Sequence, residues 1–295
     1  MGAFSENYAN SLNSSLHKMQ ILYKTPDDIG TKPFIRWVGG KTWLIPRLKP
    51  FIPKSFNRYF EPFLGSGAVY FAVCNGHKAY LSDTNVELVN AFTQVRDNCG
   101  QVIRYLRDFQ NSEDEYYRIR ATEFRGQIKR AAQFIFLNRT CFNGVYRVNR
   151  DGRFNVPYGH NPKAPIYGPD HFMQVSTKLR NAEILARDFD LLRDVVVSGD
   201  FVFLDPPYTV AHGNNGFVEY NKKLFSWEDQ ERLALFVDFL NKQGVHYVLT
   251  NAAHDSIRKL YLNLGKLFEL ERHSTITSVV GKRSRTTEYL FTNYL

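Results

Sequence analysis

The residues with the most chemical content are Asp205-Pro206-Pro207-Tyr208, which follow the short apolar run Phe201-Val202-Phe203-Leu204. A run of that kind bounded by a turn reads as a buried strand, and α/β folds place reactive groups just beyond the carboxyl ends of such strands. Two hydrogen-bond acceptors are offered there: the Asp205 carboxylate and the Pro206 carbonyl, whose angle the successive prolines restrict. That pair suits the exocyclic amino group of adenine, a poor nucleophile because its lone pair is delocalised into the ring. Accepting both N–H bonds draws the nitrogen toward tetrahedral geometry, ready for in-line transfer of a methyl group from a sulfonium. Tyr208 adds a flat face for a base taken out of its stack. The competing reading of the tetrapeptide is a rigid strand-to-loop turn with a capping Asp.

A second group lies upstream. Glu61-Pro62-Phe63-Leu64-Gly65-Ser66-Gly67 follows a strand-like segment, and Asp83 ends the next one, Ala79-Tyr80-Leu81-Ser82-Asp83. Small residues in such a turn let the backbone approach a ligand, and a carboxylate at this spacing suits a ribose. The spacing lacks the full dinucleotide pattern, which favours a compact nucleoside-containing cofactor without a pyrophosphate; a plain strand-helix turn with Asp83 as a helix cap competes. Trp37 and Lys41 flank Gly39-Gly40 and suggest a lid, with the indole on a cofactor and the ammonium against a carboxylate. A core Trp beside a solvated Lys is the alternative, and the P-loop pattern is incomplete.

From Asn138 to Asn149 the chain interleaves cations (Arg139, Arg147), amides and rings (Phe142, Tyr146), the mixture needed for phosphate contacts, base edges and a wedge between bases. Arg147 has the geometry to pair bidentately with guanine. A solvated hairpin with its rings packed inward competes. Gly281-Lys282-Arg283-Ser284-Arg285 is a compact basic loop suited equally to a nucleic-acid backbone or to solvent.

These groups need a scaffold to position them. Strand, glycine turn, helix and strand from Arg58 to Asp83 form a β-α-β unit, the start of a doubly wound sheet. The pattern is mostly helical from Glu87 to about Asn138, and becomes an aromatic-rich loop or hairpin up to Tyr158. Alternation then resumes near Glu183, with a helix from Trp227 to Leu240 opened by Ser226, a strand at Tyr247–Thr250, and a C-terminal edge strand at Leu290–Tyr294. The expected architecture is an α/β domain formed by residues 33–85 and 171–295. A mostly helical insertion, residues 86–170, interrupts it, and a polar, mobile extension, residues 1–32, precedes it.

A hydrophobic content of 43% is ordinary for a folded core, and 38 Lys plus Arg against 29 Asp plus Glu leave a net charge of +9, which favours a polyanion or an acidic membrane surface as partner. No apolar stretch is long enough to cross a bilayer, and the polar start is unlike a secretory signal, so the expectation is a cytoplasmic protein with no membrane role. Cys74, Cys99 and Cys141 form no CxxC pair and have no zinc-like His neighbour, which points to reduced core thiols and no metal site.

The ordered set RWVGGK, EPFLGSG, YLSD, LNRTCFNGVYRVN, FNVPYG and LDPPY resembles the Dam family of DNA adenine-N6 methyltransferases over nearly all of Phe34 to Tyr294. The resemblance implies a Rossmann-like methyltransferase sheet with an inserted DNA-recognition domain, double-stranded DNA as partner, and S-adenosylmethionine as cofactor, leaving as S-adenosylhomocysteine. It implies cofactor contacts from Trp37, Lys41, Glu61, Phe63, Gly65 and Asp83, with Asp188 and Phe189 at the adenine ring. Asp205 is shared between cofactor and target base, and Tyr208 serves the base. In the recognition segment it implies Phe142 as the intercalating ring, Asn143 as an adjacent amide contact, Arg147 as the guanine reader, and Asn155 and Pro157 as nearby contacts.

Two positions depart from the family pattern. Arg36 stands where Lys is usual, and Val145 where GATC-specific members carry Leu, so GATC is the expected target with its thymine contact in question. Cytosine-N4 methylation, with Ser more usual before PPY, and a catalytically silent DNA binder stay open as alternatives. Cytosine-C5 chemistry is excluded, because none of the three cysteines follows a proline. A monomer suffices for flipping one base, and a cognate restriction endonuclease acting separately is a compatible partner.

Overall fold

The computed structural model describes residues 31–163, 166, 168–209, 225–273 and 285–295. Nearly all of the expected N-terminal extension (residues 1–30) lies outside these, as do Lys282 and Arg283 of the basic loop; Arg285 contributes only its backbone.

Seven described strands form one sheet: β1 (Tyr59–Glu61), β2 (Ala79–Asp83), β3 (Ala182–Ala186), β4 (Phe201–Leu204), β5 (His246–Ala252), β6 (Lys266–His273) and β7 (Arg285–Thr292). Their spatial order is β3-β2-β1-β4-β5-β7-β6. The first five in that order run parallel, and β7 is antiparallel to both β5 and β6. The strand order reverses between β1 and β4, and in doubly wound sheets such a switch point opens a crevice at the carboxyl ends of the strands.

Both faces of the sheet are covered, which is why β4 reads as an unbroken apolar run. Successive side chains alternate between two cores. Phe201 and Phe203 of β4, Val248 of β5 and Leu290 of β7 enter one; Val202, Leu204, Tyr247, Leu249 and Phe291 enter the other. The first core is closed by helices α1 (Ile45–Leu48), α2 (Ala68–Val73), α3 (Val86–Asp97), α4 (Cys99–Asp108), α5 (Glu113–Ala121), α6 (Gln127–Thr140) and α7 (Pro169–Leu179). Helices α8 (Trp227–Lys242) and α9 (Asp255–Tyr261) close the second. The helical stretch of residues 86–140 is present as expected, and its buried side chains, among them Leu88, Phe92, Ile135 and Phe136, continue the core under the sheet.

Local sequence explains several boundaries. Ser226 opens α8 in a reciprocal capping box, accepting from the Asp229 amide at 3.2 Å while the Asp229 carboxylate accepts from the Ser226 amide at 2.9 Å. The Asn85 side chain caps α3 through the amides of Glu87 and Leu88.

The C-terminal strand differs from expectation: it runs from Arg285 and lies inside the sheet, between β5 and β6. The edge is β6, whose mixture of charged and apolar residues gives no unambiguous strand signal in the sequence. All three cysteines are free and buried; burial pushes the Cys74 and Cys141 thiols up to about 12, so neither is a ready nucleophile.

Candidate active site

Because β1, β2, β4 and β5 run parallel, their carboxyl ends share one edge of the sheet. Glu61 ends β1, Asp83 ends β2, Asp205 follows β4, and Thr250 lies in the last turn of pleat of β5. The antiparallel β7 brings Glu288 to the same edge, opposite Ala252.

Asp205 is the centre of this group. Lys41 Nζ lies 2.7 Å from Asp205 Oδ1, and Thr250 Oγ1 donates to the same oxygen at 2.8 Å. No protein donor meets Oδ2 among the described residues, and the side chain keeps 18% of its surface exposed. The carboxylate is therefore held by one oxygen and presents the other. Burial raises its pKa, Lys41 and Thr250 act the other way, and the charge of Glu288 adds to the rise.

Lys41 is itself buried, with a second carboxylate, Glu288, at 3.7 Å and the Gly39 carbonyl at 3.0 Å. Its ammonium stands 5.0 Å from the centre of the Tyr208 ring, and the Tyr208 hydroxyl donates to Glu288 at 2.6 Å. The expectation that Lys41 meets a carboxylate is met by Asp205.

The side chains at the carboxyl ends of β1 and β2 have the chemistry to meet a cationic nucleoside. Glu61 is buried and accepts from the Tyr59 hydroxyl at 2.6 Å; burial pushes its pKa up to about 8, the Tyr59 bond opposes that rise, and the charge of Asp205 adds to it. Asp83 accepts from the Gly65 amide at 3.2 Å and the Asn85 amide at 3.0 Å, and burial raises it as well. Each of its oxygens keeps a second lone pair for a hydroxyl donor.

Gly65 adopts a φ of +48°, and a Cβ there would lie 2.9 Å from the Trp37 ring, so the turn demands glycine and Trp37 flanks it. Phe63 and Phe189 lie 5.4 Å apart, both near Phe225, and form an aromatic slot. Asp188 borders the slot; its carboxylate accepts from Arg232 at 2.8 Å, and the Arg232 guanidinium stands 5.1 Å from the centre of the Phe189 ring. Acidic groups, a backbone turn open to close approach and an aromatic slot fit S-adenosylmethionine.

The expected recognition residues gather around a turn and a hairpin. Phe142 to Gly144 form a 3-10 turn after α6, with Asn143 in the left-handed region at φ 54°. Backbone bonds from Asn149 to Arg153 and from Asn155 to Arg147 close the hairpin. Phe142 is 53% exposed, and Arg36, Asn143, Arg147 and Pro157 are also exposed; Val145 and Asn155 are half-buried. Arg147 does not project freely, because its Nε donates to Asn155 Oδ1 at 2.8 Å.

Arg139 departs from the pattern expected of a phosphate contact: it is 4% exposed, because the last turn of α6 faces into the core. Tyr146 stacks on Trp37 at 5.6 Å and 20°, joining the hairpin to the cofactor side.

Sequence reasoning did not single out Thr250, Glu288, Arg232 or the clamp made by Asn138. Asn138 is fully buried; it accepts from the Arg36 amide and donates to the Arg36 carbonyl, both at 2.8 Å. A polar residue ending an otherwise apolar strand was the available signal for Thr250. Glu288 carries no local signal, since a lone Glu in a strand ordinarily faces water.

A doubly wound α/β sheet with carboxylates gathered at its switch point is a framework on which nucleoside-cofactor enzymes are built. The chain belongs to the D12 class N6 adenine-specific DNA methyltransferases, matching that family over residues 37–278. It is similar to the type II methyltransferase M1.LlaDCHI of Lactococcus lactis subsp. cremoris, with 34% identity over 94% of this chain and 99% of that one. It is also similar to the type II methyltransferase M.MjaIII of Methanocaldococcus jannaschii, with 37% identity over 85% of this chain and 92% of that one. The DNA adenine methylase of Escherichia coli is 27% identical over 88% and 94%. The chain is thus an adenine-specific DNA methyltransferase. No described helix is long and apolar enough to cross a membrane, and no metal-binding cluster occurs among the described residues.

Proposed function

We propose that this enzyme transfers a methyl group from S-adenosylmethionine to N6 of an adenine flipped out of double-stranded DNA, with GATC as target. The observation that carries the reading is the one-sided anchoring of Asp205, whose Oδ1 takes both protein donors while the side chain keeps 18% of its surface exposed. Trp37, Lys41, Glu61, Phe63, Gly65, Asp83, Asp188 and Phe189 would hold the cofactor, which supplies an electrophilic methyl group on a sulfonium.

The remaining work falls to side chains and backbone. Asp205 Oδ2 and the Pro206 carbonyl accept the two N6 hydrogens and turn the nitrogen lone pair out of conjugation. Tyr208 stacks on the extruded base, which must be unpaired and unstacked to reach so recessed a carboxylate. Asp205 is the base poised for the proton that N6 sheds. Fixed acceptors of this kind need no reorganisation as charge develops, so they favour the transition state over the ground state.

Residues 86–170 act as the recognition segment between the catalytic portions 33–85 and 171–295. Phe142 is the exposed ring suited to fill the gap left by the base, Arg147 reads guanine, and Arg36, Asn143, Val145, Asn155 and Pro157 line the same surface. Lys282, Arg283 and Arg285 track the backbone. The type II names of two relatives favour a cognate endonuclease acting separately, in the cytoplasm, on the same sequence.

The test is transfer of labelled methyl from S-adenosylmethionine to unmethylated plasmid DNA, with nucleoside analysis and sequencing of modified sites. N6-methyladenine confined to GATC is expected. N6-methyladenine elsewhere overturns the target, and N4-methylcytosine or no product overturns the reaction.

A further inference from the structure

We infer that Glu288 is a positioning residue for methyl transfer, pinning the hydroxyl end of Tyr208 so that the ring is fixed at both ends when the base arrives. The inference rests on the assignment of Tyr208 to the base-receiving loop.

Three parts of the chain meet at this carboxylate. The Tyr208 hydroxyl donates to Glu288 Oε2 at 2.6 Å, and Lys41 Nζ stands 3.7 Å from the same oxygen. Lys41 in turn holds Asp205 at 2.7 Å and lies 5.0 Å from the centre of the Tyr208 ring. Glu288 is 2% exposed, so its charge has been taken out of water and is met by a cation and a short O–H bond. A carboxylate is costly to bury, and a strand needs none for its own ladder.

Backbone geometry fixes where it stands. Glu288 pairs with Ala252 of β5 and Leu270 of β6, inside the three-stranded antiparallel portion of the sheet. It therefore sits on a rigid element, whereas Tyr208 lies in the loop after β4 and is half-buried. The backbone of Pro206 and Pro207 restrains the near end of the Tyr208 ring, and Glu288 restrains the far end. Lys41 couples the two carboxylates, so the ring face and the Asp205 acceptor are set in one frame. A base stacking on Tyr208 then meets Asp205 with its amino group in line, without a search over ring orientations.

The test is a double-mutant cycle on the full-length enzyme, read by single-turnover methyl transfer to target DNA at saturating cofactor and by the fluorescence of 2-aminopurine placed at the target adenine. Tyr208→Phe should lower the transfer rate about tenfold and Glu288→Ala by at least as much, since it also removes the Lys41 pairing. The double variant should be no slower than Glu288→Ala, because the Tyr208 contact is already gone. Glu288→Gln should recover most of the loss, since its amide oxygen still accepts from the Tyr208 hydroxyl. In that background Tyr208→Phe should again cost about tenfold.

Losses that multiply in the double variant, or a wild-type rate for Glu288→Ala, overturn the inference. If Glu288→Ala does not fold, Tyr208→Phe decides alone: an unchanged rate and unchanged 2-aminopurine signal overturn it. Absence of adenine methylation by the wild-type enzyme overturns the proposed reaction as well, whereas wild-type transfer with multiplying losses overturns only the role of Glu288.

Discussion

The ammonium of Lys41 lies 2.7 Å from Asp205 Oδ1 and 3.7 Å from Glu288 Oε2, so one cation from the N-terminal loop serves two carboxylates that reach it from β4 and β7. Loss of the cation leaves both carboxylates buried without their countercharge. Lys41→Met should therefore cost about 3 to 5 kcal/mol of folding stability and raise the Asp205 pKa further. The acidic limb of the activity profile should move to higher pH, because Asp205 without the Lys41 charge ionises at a higher pH. Urea denaturation and a pH-rate profile check the two effects, and an unchanged acidic limb would refute the coupling.

Asp205→Ala should abolish methyl transfer and leave DNA binding largely intact, because the recognition surface lies on other elements. Thr250→Val keeps the carboxylate and removes one of its two protein donors. It should slow transfer by about tenfold at a stability cost near 1 kcal/mol. Methyl-transfer assays beside gel-shift titrations separate the two variants; equal rates for Thr250→Val and wild type would remove Thr250 from the site.

Glu61 supplies a prediction with a definite sign. Its folded pKa of about 8 stands above the ordinary value of 4.5, so between these values the unfolded chain has released a proton that the native cofactor-free enzyme retains. This group therefore lowers stability as pH rises from about 4.5 to about 8, with no further change above that range. A cationic ligand beside Glu61 favours its ionised form, so cofactor binding should release a proton and tighten as pH rises toward 8. Glu61→Gln should flatten both dependences. Calorimetry in buffers of different ionisation enthalpy measures the proton, and no release at neutral pH would contradict the assignment.

The proposed recognition surface is tied down by Asn138, whose side chain bonds both backbone polar groups of Arg36 at 2.8 Å. Asn138→Ala leaves those part-buried groups without their partner and should cost roughly 1 to 3 kcal/mol. It should also loosen sequence discrimination, although Asn138 itself is fully buried. Arg147→Ala should relax choice at one base pair by about 1 to 3 kcal/mol. Asn155→Ala should do so by less, since it only releases Arg147 from its 2.8 Å restraint. Methylation rates on a panel of single-base variants of the target read all three; uniform loss across the panel would make Arg147 a phosphate contact.

Much of this was legible in the chain itself. The runs Ala79–Asp83 and Phe201–Leu204 coincide with β2 and β4, and Ser226 opens α8, because apolar periodicity and capping are local properties. The position of Asp205-Pro206-Pro207-Tyr208 just past a buried strand and the glycine turn at Gly65 were also local, being set by residue type and by the backbone angles those types permit.

Tertiary structure decided what depends on contacts between distant residues. Asn138 meets Arg36 across 102 positions, Tyr208 meets Glu288 across 80, and Asp205 meets Thr250 across 45. Such pairings leave no trace in spacing, since a Glu or Asn reads alike whether it faces water or a buried partner. The same limit hid the burial of Arg139 and the inner position of β7. An Arg on a helix gives no sign of which face is covered, and a strand becomes edge or interior only when its neighbours pair beside it.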